Sequence, residues 1–290
     1  MDEVVQPDDL RPVYEYRRSR FTMNVAAQRA GLALSILTAL LAFAVRVSAQ
    51  MPDLSQTAAS RPATVSMAHV PFAVGEELVY HATFGVLPAG TARMRVQGID
   101  TVRGRPAYHV VFAIDGGIPF FRVHDRYESW IDVETLSSLR HTQSISEGRY
   151  HRTTTYELYP DLAEYQKNDE PIQPSVSAPL DDGSFIYAVR IAALHPGDTV
   201  RNERYFKRDK NPVVLIGLRT DTVTVGAGTF TTTVVRPSIK TNGIFSDHGD
   251  ALVWFTNDER RVPVQFKTNF SRFSLTLALQ SLTVGTLASR

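Results

Sequence analysis

The sequence predicts an all-β, mainly antiparallel protein: a strongly curved sheet, open barrel or two-sheet sandwich with one short helix packed on it. Three observations carry this. From residue 70 onward, short alternating runs rich in Val, Thr, Tyr and Phe recur at near-regular spacing. Gly, Pro, Asn and Asp fall between them and supply turn chemistry. A single segment, near residue 184, carries the capping and apolar periodicity of a helix. With 43% hydrophobic and 10% aromatic residues over 290 positions, the chain has enough apolar material for a sizeable core.

The N-terminus reads as an address. Residues 30–45 are uncharged and mostly apolar, follow Arg29, and precede Val47-Ser48-Ala49, an ending that signal peptidase accepts. The run is short for a bilayer span, which needs about 20 apolar residues. Residues 23–49 are therefore expected to be a signal peptide, with an uncleaved N-terminal anchor as the alternative that Arg46 keeps open. Met23 opens a signal that is complete by itself, so either translation starts there or residues 1–22 form a long n-region. Arg17-Arg18 suggests a twin-arginine signal, but Arg20 stands where an apolar residue is expected. Residues 50–69, rich in Ser, Thr, Ala and Pro, are a flexible linker, and a single β-rich domain fills 70–290. The expected location is the periplasm or the outer membrane, or the inner membrane if the anchor is retained.

Within the domain, strands are expected over 78–84, 91–96, 107–114, 121–133, 139–145 and 150–159. Gly85, Gly98 and Asp115-Gly116-Gly117 would end the first three. Further strands follow at 199–207, 213–218, 221–225, 229–235, 250–255, 262–268 and 270–282. The helix is expected over 184–194, with Ser184 or Asp182 capping its free N–H groups and His195-Pro196-Gly197 stopping it. Phe185, Ile186, Val189 and Ala192 form the stripe that would dock on the sheet. Gly75-Glu76-Glu77-Leu78 and Gly197-Asp198-Thr199-Val200 each stand where one half of a two-sheet domain would open.

Composition excludes several functions. Thirty-one basic residues against 30 acidic ones, net +1, lack the basic excess of a nucleic-acid binder or a polybasic membrane-surface protein. The absence of cysteine excludes disulfides, thiolate metal sites, a cysteine nucleophile and a lipidated cysteine. The histidines are scattered without H-x-H or H-E-x-x-H spacing, and a site from His141, His151 and His124 would lack a carboxylate at ligand spacing. Gly183-Ser184-Phe185 is not a nucleophile elbow, and Gly226-Ala227-Gly228 reads as a hairpin turn rather than a phosphate loop. No cofactor, metal or catalytic residue is therefore expected.

Candidate binding residues come from the densest polar-aromatic segment, 116–130. Alternation places Phe121, Val123, Asp125, Tyr127, Ser129 and Ile131 on one strand face and Arg122, His124, Arg126, Glu128 and Trp130 on the other. The second set could line a groove for an anionic or sugar-like ligand, since Arg forks grip carboxylate or phosphate and Trp offers a stacking plate. The bland alternative is a solvated face laced with cross-strand ion pairs. His124 and Asp125 point to opposite faces, and His124 and Glu128 lie roughly 13 Å apart along a strand, which disfavours a joint proton-transfer pair. Tyr187 and Arg190 share one helix face at i, i+3 and could close a ligand cavity; the structural alternative has Arg190 satisfying a buried carboxylate or strand carbonyls. Asp258-Glu259-Arg260-Arg261 reads as a charged turn.

The segment Val70-Pro71-Phe72-Ala73-Val74-Gly75-Glu76-Glu77-Leu78-Val79-Tyr80 resembles the F-x-V-G-E-x-L-x-Y opening of the bacterial family of unknown function numbered 3108. The resemblance continues through Gly85 and Ala89-Gly90-Thr91-Ala92, and through Val123-His124-Asp125-Arg126-Tyr127-Glu128-Ser129-Trp130-Ile131-Asp132. It returns at Tyr187 and Arg190, Gly197-Asp198, 225–230, and the hairpin from Val253 to Val264. It implies an exported bacterial β-protein with no assigned chemistry, so it transfers no residue roles. A looser likeness of architecture links such curved sheets to periplasmic lipoprotein carriers. The expected function is that of an envelope protein, non-catalytic, binding a lipid or other amphipathic small molecule, or an envelope protein partner. The alternatives are a periplasmic hydrolase or glycan-active enzyme using His124, Glu128 and Asp125, and an assembly module.

Overall fold

In the computed structural model of the chain, the described residues are 70–118, 121–239, 251–270 and 273–285. All lie in the second of two compact units, Asp53–Arg290. The expectations for residues 1–22, 23–49 and 50–69 fall outside the described residues.

Fourteen strands form one antiparallel sheet. They are β1 (Glu77–Phe84), β2 (Leu87–Val102), β3 (Arg105–Ile118), β4 (Phe121–Asp132), β5 (Ser138–Glu147), β6 (Tyr150–Tyr159), β7 (Glu164–Lys167) and β8 (Gln173–Pro174). After the helix α1 (Ser184–Ala192) come β9 (Thr199–Asn202), β10 (Val213–Val225), β11 (Gly228–Ser238), β12 (Leu252–Thr256), β13 (Pro263–Phe270) and β14 (Phe273–Thr283). The spatial order runs from β8 through β7 down to β1, then β14 down to β9. The two halves therefore join edge to edge where β1 pairs with β14, and no second sheet exists among the described residues.

The strands are longer than the alternating runs suggest, because glycines that read as stops are bends within the ladder. Gly98 sits at a register shift between β2 and β3 rather than at an end. β3 continues through Gly116 and Gly117 to Ile118, pairing with β4 from Ala107 to Ile118. Gly117 adopts φ 134, and a Cβ there would lie 2.0 Å from the Phe121 carbonyl oxygen, so only glycine permits this bend. The expected strands at 213–218 and 221–225 are one strand, β10, shifted in register between Gly217 and Arg219. The strand expected over 199–207 ends at Asn202, and β13 and β14 divide near Phe270. β7 and β8, of four and two residues, had no apolar alternation to announce them.

The two edges of the sheet are tied by irregular chain. Leu180 and Tyr205 form an isolated parallel bridge, with Leu180 N–H donating to Arg204 O at 2.6 Å and Phe206 N–H to Leu180 O at 3.0 Å. Ser175, directly after β8, donates its hydroxyl to Phe206 O at 2.8 Å. The sheet is thus open as a ladder but bridged by a strap.

One continuous apolar cluster occupies the inner face and includes Leu78, Tyr80, Val110, Leu215, Val264 and Leu279. Each such side chain contributes about 1.5–3 kcal/mol on burial. The helix packs into this cluster through Phe185, Ile186 and Val189, while Phe72 meets Tyr108 and Tyr187 edge-to-face at 5.3 and 4.8 Å. Ala192, expected in the docking stripe, is exposed; the helix ends there and Ala193 turns left-handed at φ 50. No helix among the described residues is long and apolar enough to cross a membrane.

Candidate functional site

The expected site residues divide between the two sides of the sheet. On β4, Val123, Asp125, Tyr127, Ser129 and Ile131 are buried, so Arg122, His124, Arg126, Glu128 and Trp130 face outward. Arg122, His124 and Arg126 are exposed. His124 Nδ1 meets Asp115 at 2.6 Å on neighbouring β3, while Glu128 joins Arg126 at 2.8 Å and His109 at 3.0 Å. Trp130 stacks on His109 with centroids 4.4 Å apart and donates to Asp100 at 2.9 Å. Burial pushes the Glu128 carboxyl up, but Arg126 and His109 outweigh it and hold the group below its ordinary range. This is a laced outer face: Arg126, Glu128 and Trp130 come together, and Arg122 and His124 stand apart from them. His124, Glu128 and Asp125 share no cleft, and neither do His124, His141 and His151, because the first and last face out and His141 faces in.

Tyr187 and Arg190 lie in the core, on the opposite side of the sheet from the outward set. The five outward residues and the Tyr187–Arg190 pair therefore do not meet in one groove. Arg190, with no solvent exposure, forks onto Glu76 at 2.6 and 2.9 Å and donates to Pro71 O at 2.6 Å and Arg260 O at 3.0 Å. Its guanidinium lies 5.6 and 5.7 Å from the Phe72 and Tyr187 rings. One side chain thus ties the helix to the segment before β1 and to the β12–β13 turn. Removing one partner of a buried pair of this kind costs about 3–5 kcal/mol.

The polar groups that the fold does gather lie on the inner face of β4, β5 and β6. The Ser129 hydroxyl donates to Asp181 Oδ1 at 2.6 Å and sits 3.2 Å from His141 Nδ1. His141 Nδ1 also donates to Glu128 O at 2.9 Å, and the Gln143 amide reaches its Nε2 at 3.0 Å. Gln143 and the Tyr205 hydroxyl both donate to Asp182, at 3.1 and 2.8 Å. Ser, His and Asp together invite comparison with a hydrolytic triad, but a relay needs Ser and Asp on opposite ring nitrogens. Here both meet Nδ1, the hydroxyl is committed to the carboxylate, and all three side chains have no solvent exposure. The cluster instead holds the entry to α1. Asp181, not Ser184 or Asp182, accepts the free N–H groups of Gly183 and Ser184, at 2.8 and 2.9 Å. Ser184 turns its hydroxyl back to Asp181 O, and Ser138 donates to it at 2.7 Å.

Toward the far end of the same face lie Asp125 and Glu147, each 2% exposed. Burial and the neighbouring Asp125 raise the Glu147 carboxyl to about 7, and burial raises Asp125 as well. Glu147 is not among the residues the sequence singled out, and Asp125 is there only beside His124 and Glu128. The available signal was the lone acid in the inward series Val123, Asp125, Tyr127, and again in His141, Gln143, Ile145, Glu147.

One cleft, of about 250 Å³, opens beside the C-terminal end of α1. Val189, Leu194 and Pro196 form one wall, and the cross-strand row Thr220, Thr233 and Phe255 with Val235 forms the other. Asp258 and Arg261 stand at its rim, where Arg261 Nε donates to Arg190 O. The charged turn thus takes part in both the Arg190 anchor and the cleft.

The family described as "Protein of unknown function (DUF3108)" matches residues 79–277. No curated protein matches the chain. Among solved structures, a β-barrel-like protein of domain of unknown function DUF1849 from Brucella abortus is 9% identical, with a TM-score of 0.48, over 74% of this chain and 99% of that one. A candidate lipoprotein from Parabacteroides distasonis is 12% identical with a TM-score of 0.33, over 77% and 100% of the two chains. A candidate exported protein with a YmcC-like fold from Bacteroides fragilis is 10% identical with a TM-score of 0.28, over 74% and 98%.

Proposed function

The chain belongs to the DUF3108 family, and from that premise we propose that it is an exported, non-catalytic envelope protein that binds the apolar part of an anionic amphiphile. The observation that carries this reading is the two-sided cleft beside α1. Its walls are apolar at Val189, Leu194, Pro196, Val235 and Phe255, and its rim carries Arg261. The Arg261 Nη groups have no hydrogen-bond partner among the described residues, and a free guanidinium fork suits a carboxylate or phosphate head. Drug-sized ligands occupy pockets of about 300–1,000 Å³. At about 250 Å³ the cleft suits a short apolar segment with its head left outside. On the inner face the helix packs into the apolar cluster, so this reading rests on the local cleft at its C-terminal end and not on a wide lipid-carrying hollow. Export rests on residues 23–49, which lie outside the described residues.

The test is titration of the purified protein with N-phenyl-1-naphthylamine, followed by displacement with laurate. Saturable fluorescence that laurate reverses is expected, and it should be lost in Thr220→Trp, where a larger side chain at an exposed wall position fills the cleft. A folded protein that takes up no probe, or a Thr220→Trp variant that binds it unchanged, sinks the proposal.

A further inference from the structure

A different part of the inner face carries an independent inference. Asp125 on β4 and Glu147 on β5 are buried neighbours, with Val123 paired to Glu147 across the two strands. Asp125 Oδ1 accepts from the Ser146 N–H at 3.0 Å. The two carboxyls lie within hydrogen-bond reach of each other, and apart from that mutual contact Asp125 Oδ2 and both Glu147 oxygens meet no donor among the described residues. Buried polar atoms are almost always paired, and an unpaired buried carboxylate is among the most costly groups a fold can hold.

We propose that this carboxyl pair binds a hard divalent cation of the calcium class, with Glu147 as a two-oxygen ligand and Asp125 coordinating through Oδ2. Counting oxygens favours a cation over a shared proton. A proton bridging the two carboxyls serves two of the three orphan oxygens and leaves one acid charged. A divalent ion takes all three and balances both charges. The donors are all oxygen, with no sulfur or imidazole on this part of the face, which selects calcium or magnesium over zinc or copper. A carboxylate with both oxygens free suits calcium, which accepts bidentate ligands and flexible geometry, better than strictly octahedral magnesium. Water fills the remaining positions of the coordination sphere. The site lies away from the cleft, so it stands or falls separately from the amphiphile reading.

The experiment is thermal unfolding of the EDTA-treated full chain above neutral pH, with and without calcium or magnesium chloride. Near-saturating calcium should raise the midpoint by about 5 °C, with a smaller rise in magnesium. Glu147→Gln and Asp125→Asn, which preserve shape, should fold and lose that rise. If either variant fails to fold, terbium luminescence sensitised through Tyr127 in the native protein reads binding directly, and calcium should quench it. Absence of a calcium response together with absence of terbium luminescence overturns the proposal. So does a calcium rise of equal size in a folded Glu147→Gln variant.

Discussion

At the residue scale, the protein concentrates its unusual chemistry where a charged side chain has been taken out of water. Arg190 and Glu76 show the satisfied form, in which every fork position meets an acceptor. Asp125 and Glu147 show the unsatisfied form, and the difference has a pH signature. In the unfolded chain Glu147 titrates near 4.5, whereas in the fold, with Asp125 beside it, it titrates near 7. A group whose folded value is raised stabilises the fold fully below the unfolded value and loses that contribution as pH rises through the folded one. In cation-free buffer, stability should therefore fall between about pH 4.5 and pH 7 by an amount that Glu147→Gln abolishes. Urea midpoints measured across that window for both proteins check this; parallel curves would show that Glu147 carries no such linkage.

At the element scale, the helix depends on a residue outside it. Asp181 Oδ1 gathers three donors, Ser129 Oγ, Gly183 N–H and Ser184 N–H, and so joins β4 to the first turn of α1. Losing a cap costs about 1 kcal/mol, and stranding a buried donor costs about 1–3 kcal/mol more. Asp181→Ala should lower stability by about 2–4 kcal/mol in chemical denaturation. Ser184→Ala leaves the helix N–H groups capped but strands the Asp181 N–H and the Ser138 hydroxyl, which donate to its oxygen at 2.8 and 2.7 Å, so it should cost about 1–3 kcal/mol without the cap's share. Equal losses would mean that the cap adds nothing to the cluster. The sequence offers Ser184 and Asp182 as the caps, and Asp181 is the residue that serves. Finding it needed the position of Ser129, a residue 52 places away.

At the scale of the whole molecule, a 14-stranded antiparallel sheet without closure has a stable middle and weak edges. β1 is paired on both sides along its full length, whereas β9 is a four-residue strand with one ladder partner and largely exposed side chains. Local opening tracks such differences. Amide exchange should be slowest in β1, β2 and β14 and fastest in β8 and β9, with the Leu180–Tyr205 strap intermediate. Slow exchange in β9 would mean that another chain covers that edge.

Much of this was legible in order along the chain. β6 runs over the very residues its alternation marks, 150–159, and the all-β class with one helix follows from periodicity and turn residues alone. β3 was cut short because Gly116-Gly117 reads as a turn, and only the approach of β4 shows that glycine there serves a bend. The candidate site fared differently for a physical reason. Alternation along β4 sorts its side chains into two faces, since successive residues point opposite ways. It does not say which face meets the core, because that depends on the partner strands and on the helix that fills the concave side. The sequence by itself determined the two sets: Arg122, His124, Arg126, Glu128 and Trp130 against Val123, Asp125, Tyr127, Ser129 and Ile131. Only the tertiary structure turned the second set inward, buried Asp125 against Glu147, and separated Arg190 from the outward arginines by the thickness of a sheet.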